Sequence, residues 1–434
     1  MTIVTHLRET LQSDATRTQF RRQPTAFTRQ RQLPFAYIAV LLLRGHKVSQ
    51  QNALNKVFRE LDLLAALPTA SAYCQARQKL DPQLFAHLNH QVVSDYYALS
   101  TDDASLVRWH GHRLLGADGT RLNLPDTPAL REQFGVQGNQ HETFPQATGV
   151  VLYDLGNALG LAATFGRVSG EKTPLFEQLW PSTQPNDVLV LDRNFADYEI
   201  IAYALQSGRH VVIRCPYQFN AVKRFWDSDA TDEVVTLTVP DSAFLRPGVR
   251  GGTLPTTVQV RLLKFTLPSG ETEVLLTTLC DAQTYPHADF YALYGQRWGQ
   301  ETYYDRFKNI FEVERWSGQN LVALQQDFFG VLFLMTLESV LAHEAQAALT
   351  QRDQVRQPKT PAQVNRVVSY VALVDQTVAL LLDPHKSPAE TLAQLQHLFQ
   401  MSPTRPRPGR HVPRPKLKYS RRIRYLKYRK RLAA

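Results

Sequence analysis

Tyr294, Arg297, Glu301 and Lys308 lie within the fifteen residues of YGQRWGQETYYDRFK. Their spacing predicts one α-helix from Tyr294 to Lys308, although Gly295 and Gly299 weaken helix propensity in its first half. At about 100° per residue, Arg297, Glu301 and Lys308 fall roughly −60°, −20° and −40° from Tyr294, in one narrow stripe. Leu293, Tyr303, Phe307, Ile310 and Phe311 gather in a separate sector roughly 100° wide, which gives the helix a face to bury. One carboxylate, two cations and a phenol on one stripe admit two explanations. They could form a ladder of ion pairs worth only tenths of a kcal/mol. Alternatively, the carboxylate holds a metal while the cations and the phenol hold phosphate.

Two aspartates favour the second explanation. Asp118 sits within HRLLGADGTRLNLP and Asp192 ends the apolar run of DVLVLDRNF, so each belongs to the end or edge of a strand. Ligands of open α/β sheets bind at strand ends, where Asp118, Asp192 and Glu301 could converge despite their distance in sequence. Carboxylates sharing a cleft repel one another unless a cation neutralises them. Hard oxygen ligands imply Mg²⁺ or Mn²⁺, and two such ions about 3.5 to 4 Å apart suit in-line displacement at phosphorus. Each aspartate also has a structural explanation: Asp118 in an Asp-Gly turn, and Asp192 as the cap of a helix starting near Ala196.

The elements that must position these groups follow from periodicity. Residues 1 to about 100 read as helices over Phe35–Arg44, Gln50–Leu61, Ser71–Leu80 and Pro82–Leu99, with Ser49 and Ser71 as expected N-caps. They make either a helix-turn-helix that contacts DNA or a small bundle, and the basic run from Arg17 to Arg31 favours the former. From about Arg108 the period becomes alternating. His112–Pro125 reads as a strand, and Ala147–Arg167 as two strands joined around Gly156 and Asn157. Helix Glu171–Trp180, strand Asp187–Phe195, helix Asp197–Ser207 and strand His210–Cys215 follow, an order that predicts a mixed sheet covered by helices. Between Tyr217 and Ala282 the pattern is all β, with Pro268, Ser269 and Gly270 as a hairpin turn. Amphipathic helices over Leu321–Leu349, Gln363–Leu382 and Pro388–Phe399 come last. His110 and His112 are expected on a strand surface, and GVRGG (Gly248–Gly252) in a turn.

Composition narrows the partners. The 434 residues, 43% hydrophobic and 20% charged, suit two or three folded domains. The longest apolar runs, Pro34–Leu43 and Phe328–Met335, fall short of the roughly 18 residues of a membrane span. No secretory signal is expected. Cys74, Cys215 and Cys280 have no metal-ligand spacing, which fits a reducing cytoplasm. The net charge of +10 is uneven, because residues 401–434 carry 13 Lys and Arg and no acid. A tail of that kind attracts polyanions by counterion release, with nucleic acid the expected partner.

GADGT around Asp118, DRNF around Asp192, and Tyr294, Arg297, Glu301 and Lys308 at the spacing Y-x2-R-x3-E-x6-K resemble the DDE transposases of the insertion-sequence-four family. SAYCQARQKL, the β segment and EVERWSGQN (Glu312–Asn320) extend the resemblance over most of residues 20–350; the basic tail is not part of it. The resemblance implies an RNase H-like α/β core, residues 106–216 and 283–350, interrupted by a β insertion over 217–282. Helical regions would flank it at 1–105, which would bind DNA, and at 351–400, with the basic tail at 401–434. It implies cleavage at the ends of the enzyme's own mobile element and transfer of 3′ ends to target DNA, with Asp118, Asp192 and Glu301 holding two Mg²⁺ ions for which Mn²⁺ can substitute. Tyr294 and Arg297 would grip a phosphate near the element end and Lys308 the strand beside the cut. Relatives with such an insertion cleave through a hairpin whose flipped base needs an aromatic platform, for which Trp226 is the first candidate and Trp298 the second. The implied partners are the terminal inverted repeats, target DNA and a second copy of the chain in a synaptic complex, all associated with the nucleoid. A metal-dependent nuclease without strand transfer, or a non-enzymatic DNA-binding protein derived from a transposase, are the competing expectations.

Overall fold

The computed structural model describes all residues except Met1, 30–31, 45–48, 101–105, 139–142, 169, 240–253 and 407–434. Gly248–Gly252 and nearly all of the basic tail therefore lie outside the described residues. The chain divides into two compact units: Ser100–Arg121 with Thr148–Tyr304, and Met1–Leu99 with Leu122–Ala147 and Asp305–Ala434.

The strands, in chain order, are β1 (Leu114–Asn123), β2 (Val136–Gly138), β3 (Thr143–Asp154), β4 (Leu159–Arg167), β5 (Val188–Leu191), β6 (His210–Arg214), β7 (Asp232–Thr238), β8 (Thr257–Thr266) and β9 (Thr272–Thr277). In the first unit the order across the sheet is β4-β3-β1-β5-β6-β9-β8-β7. Leu155 N–H donates to the Leu114 carbonyl at 2.9 Å and Leu124 N–H to that of Pro145 at 3.1 Å, so β1 and β3 run antiparallel in a single register. The four residues between β3 and β4 are too few for a parallel crossover and make a hairpin. β5 then pairs parallel with β1, and β6 parallel with β5. An antiparallel hairpin laid beside parallel strands is the RNase H-like mixed sheet expected from the sequence.

All four residues of β5, Val-Leu-Val-Leu, are buried, as suits a strand covered on both faces. Val188, Val190 and Val212 share a core with Leu114, Leu263, Leu275, Phe290, Leu293 and Tyr294. Each such side chain stabilises the unit by about 1.5–3 kcal/mol through burial. β9 pairs antiparallel with β6, so the strands of segment 217–282 widen this same sheet instead of standing apart. That segment is not wholly β, because helix Asn220–Asp227 precedes β7. The hairpin between β8 and β9 turns at Gly270, whose φ of 84° suits glycine.

In the second unit, helix Leu321–Arg356 packs on Gln83–Leu99 and Pro388–Met401. It is the one described helix long and apolar enough to cross a membrane, yet 78% of its apolar window is buried inside the protein. Its buried Asp327 lies 3.5 Å from Arg77, which is 2% exposed and also bonds Gln326 and Ser317.

Three local expectations change. The predicted helix Tyr294–Lys308 is three pieces: helix His287–Gly295, helix Trp298–Asp305 and a π turn over Arg306–Ile310. After Gly295 the Arg297 N–H reaches back only three residues to Tyr294 and the Gln300 N–H to Arg297, the tighter bonding a glycine permits. Ser49 caps its helix as expected, but Thr69, not Ser71, accepts the capping N–H of Ala72. His112 is no surface residue. It is 3% exposed, with Nδ1 2.8 Å from the Asn186 carbonyl and Nε2 2.8 Å from the Tyr285 hydroxyl.

Candidate active site

The parallel pairing of β1 with β5 aligns Leu114 with Val188 and Gly116 with Val190. Continued two residues further, that register brings Asp118 level with Asp192, and the Asp192 carboxylate does act on that of Asp118. Asp192 is just past the end of β5, still extended at φ −79° and ψ 176°. Its Oδ1 accepts the Asn194 N–H at 2.9 Å and caps a single 3₁₀ turn, while Asp197 caps the helix that follows. Asp118 lies inside β1 and not in a turn, and its Oδ1 accepts the Gly119 N–H at 2.8 Å.

Burial pushes the Asp118 carboxyl up to about 6, and Asp192 and Glu301 push it the same way, while the Gly119 N–H and Arg297 oppose them. Glu301, on helix Trp298–Asp305, therefore acts on the same aspartate as Asp192 does. Its side chain is 42% exposed and its Oε1 accepts from Arg297 Nη2 at 2.8 Å. The Arg297 guanidinium carbon stands 5.8 Å from the Tyr294 ring centre and 5.7 Å from that of Trp298.

Tyr294 is less open than the sequence suggests. Its ring belongs to the core and is 8% exposed. Burial pushes its hydroxyl up to about 12, so it stays protonated and can donate a hydrogen bond; Arg297, Glu273, Arg214 and Asp192 all act on it. Trp298 is 64% exposed, whereas Trp226 is half-buried and edge-on to Tyr217 at 5.9 Å. Lys308 belongs to the other unit, on the π turn, where burial lowers its pKa.

Glu171 joins the acids although nothing in the sequence marked it. A Cβ on Gly119 would come within 2.5 Å of its Oε1, so glycine is what admits this side chain beside Asp118. Burial, then Asp118 and Asp192, push the Glu171 carboxyl up to about 7. Its only signal was a carboxylate just before a helix, which reads as ordinary N-terminal charge.

A set of oxygen donors, partly buried and mutually repelling, has the chemistry of a hard divalent-cation site. As the side chains stand, no three His, Cys, Asp or Glu among the described residues converge on one point. Glu301 is turned toward Arg297, and a change of its rotamers is what ligation would require.

Residues 103–337 match the model of the transposase DDE domain family. The chain belongs to the DDE transposases. It is 26% identical over 328 residues to the transposase InsG for insertion sequence element IS4 of Escherichia coli (strain K12), covering 72% of this chain and 71% of that one. It is 27% identical over 172 residues to the putative transposase InsZ of the same organism, covering 37% and 56%. These relatives agree with the insertion-sequence-four resemblance of the motifs. Among solved structures, a piggyBac transposase synaptic complex with hairpin DNA aligns with 91% of this transposase and 85% of its own chain, at 12% identity and a TM-score of 0.45.

Proposed function

We propose that this transposase cleaves DNA at the ends of its mobile element and transfers the 3′ ends to target DNA, with Asp118, Asp192 and Glu301 holding two Mg²⁺ ions. The observation that best supports the reading is the register of β1 on β5, which, continued by two residues, brings Asp118 level with Asp192, while Glu301 acts on Asp118 as well. Bound divalent ions would supply charge stabilisation at phosphorus and a nucleophile at neutral pH. The chain's own groups supply the rest. Arg297 offers a planar pair of donors to a phosphate. Tyr294, protonated at any working pH, adds an O–H donor from a rigid position. Trp298, exposed beside Arg297, offers a ring face on which an unpaired base can stack. Lys308, residues 1–105 and the basic tail would contact DNA outside the acidic cluster, and a second copy of the chain would complete the synaptic complex.

The test is alanine substitution of Asp118, Asp192 and Glu301 in turn. Each is expected to abolish Mg²⁺-dependent cleavage of element-end DNA while end binding persists, since the cationic contacts remain. Metal-dependent cutting by any one variant would refute the assignment, and cleavage without joining in the parent would leave a nuclease.

A further inference from the structure

Asp118 lies in β1, beside its antiparallel neighbour β3. The register of β1 on β3 sets Val151 opposite Asp118 at a position where the two backbones would ordinarily exchange hydrogen bonds. There the Val151 N–H donates to the hydroxyl of Tyr304 at 3.1 Å, and that hydroxyl donates to the carbonyl of Asp118. The Val151 carbonyl in turn accepts from Gln300 Nε2 at 3.2 Å. Two side chains of helix Trp298–Asp305 thus satisfy both backbone groups of one strand residue. Gly116 makes room for Gln300: a Cβ there would stand 2.6 Å from its Oε1. Gln300 is 1% exposed and Tyr304 8%.

Gln300 and Tyr304 are four residues apart and so lie on one face of the helix, with Glu301 next to Gln300 on the exposed side. Whatever fixes their hydroxyl and amide also fixes where Glu301 stands relative to the backbone of Asp118. From this geometry we infer that Tyr304, aided by Gln300, is a positioning residue of the active site that sets the separation of Glu301 from Asp118. This rests on the proposed metal-dependent cleavage. It explains why a tyrosine and a glutamine occupy a buried helix face where leucine would pack as well: an apolar pair would take these hydrogen-bond partners away from Val151 and the Asp118 carbonyl in the interior. A core tyrosine with an incidental partner would have no reason to choose the main chain of the very residue that must hold the metal.

The experiment uses full-length protein with Tyr304→Phe, which removes one oxygen, and Gln300→Met, which keeps the volume. Three quantities are read: element-end DNA binding in chelator, the Mg²⁺ dependence of end cleavage, and the shift in melting temperature on adding Mg²⁺ without DNA. DNA binding in chelator should match the parent. Cleavage should fall about 10–100-fold, the range seen when an outer partner of a metal ligand is lost. The Mg²⁺ needed for half-maximal rate should rise, and the Mg²⁺-induced melting shift should shrink. Parent rate and parent Mg²⁺ requirement in Tyr304→Phe would overturn the inference, as would a loss of cleavage matched by equal loss of DNA binding. Should Tyr304→Phe not fold, Gln300→Met decides on the same criteria. A parent that binds Mg²⁺ but cuts no DNA would sink the proposed function alone, because the melting shift still separates parent from variant; a parent that shows no Mg²⁺ shift would sink both.

Discussion

Asparagine in place of Asp118 should make the metal-free fold more stable while it removes the chemistry. The carboxyl titrates at about 6 in the folded chain against an ordinary 3.8, a rise of roughly 2 units. At about 1.4 kcal/mol per unit, carrying the charge above pH 7 costs up to about 3 kcal/mol, and partial exposure reduces this to an expected 1–2 kcal/mol. The sign follows from proton linkage. Between about pH 4 and 6 the folded state holds a proton that the unfolded state has lost, so stability falls as pH rises through that window. The penalty is absent at lower pH, where both states are protonated, and complete above it. Asp118→Asn keeps the oxygen that accepts the Gly119 N–H and never acquires the charge. In chelator at pH 8 the variant should melt above the parent by about 2–4 °C per kcal/mol. At pH 4 the two should coincide. Mg²⁺ should raise the melting temperature of the parent much more than that of the variant, and cleavage by the variant should be undetectable. A variant that melts below the parent at pH 8, together with a parent indifferent to Mg²⁺, would refute the reasoning and return Asp118 to a structural role.

Arg297→Lys keeps the charge but loses the planar fork, so it should melt within a few degrees of the parent yet transpose at least about tenfold less well, or roughly 1.4 kcal/mol in the transition state; full activity with lowered stability would mean an ordinary ion pair. Trp298→Ala should leave the melting temperature unchanged, because the ring is 64% exposed, while slowing processing of element ends in a gel assay; unchanged processing would remove it as a stacking platform. Deleting residues 401–434 should weaken DNA binding equally for all sequences and flatten its dependence on salt, and an unchanged slope would leave the tail without phosphate contacts.

What the sequence disclosed and what it withheld divide along physical lines. Asp118 and Asp192 were legible because a buried parallel strand is a continuous apolar run, and a carboxylate at the end of such a run has few reasons to be there. Their side-by-side alignment was not, since register depends on which strands pair. The helix break after Gly295 left only a propensity signal, which tertiary packing could have overridden. Glu171 sits beside Asp118 only through the fold, 53 positions along a chain that carries no periodic clue to it. Tyr304 carried no mark in the sequence, because its value lies in where its hydroxyl ends and not in its residue type. His112 was misjudged for a related reason: a polar residue on an alternating strand reads as solvent-facing unless its buried partners, here Tyr285 and the Asn186 carbonyl, are known.

The Arg297–Glu301 contact shows why a hydrogen bond alone does not settle a residue's role. An ion pair four residues apart on a helix, with its carboxylate 42% exposed, is worth a few tenths of a kcal/mol. Nothing in so small a gain requires the guanidinium to lie against two aromatic rings as well. Each ring contact adds about 0.5–1 kcal/mol, so the arginine is held mainly by Tyr294 and Trp298, and Glu301 is the partner it can most cheaply release. A carboxylate that must turn from a cation toward a metal needs a weak partner, and a guanidinium that must then meet a phosphate needs a firm seat. On the proposed function, the stripe is an ion pair while Glu301 faces Arg297 and would supply the components of a phosphoryl-transfer site once Glu301 turned.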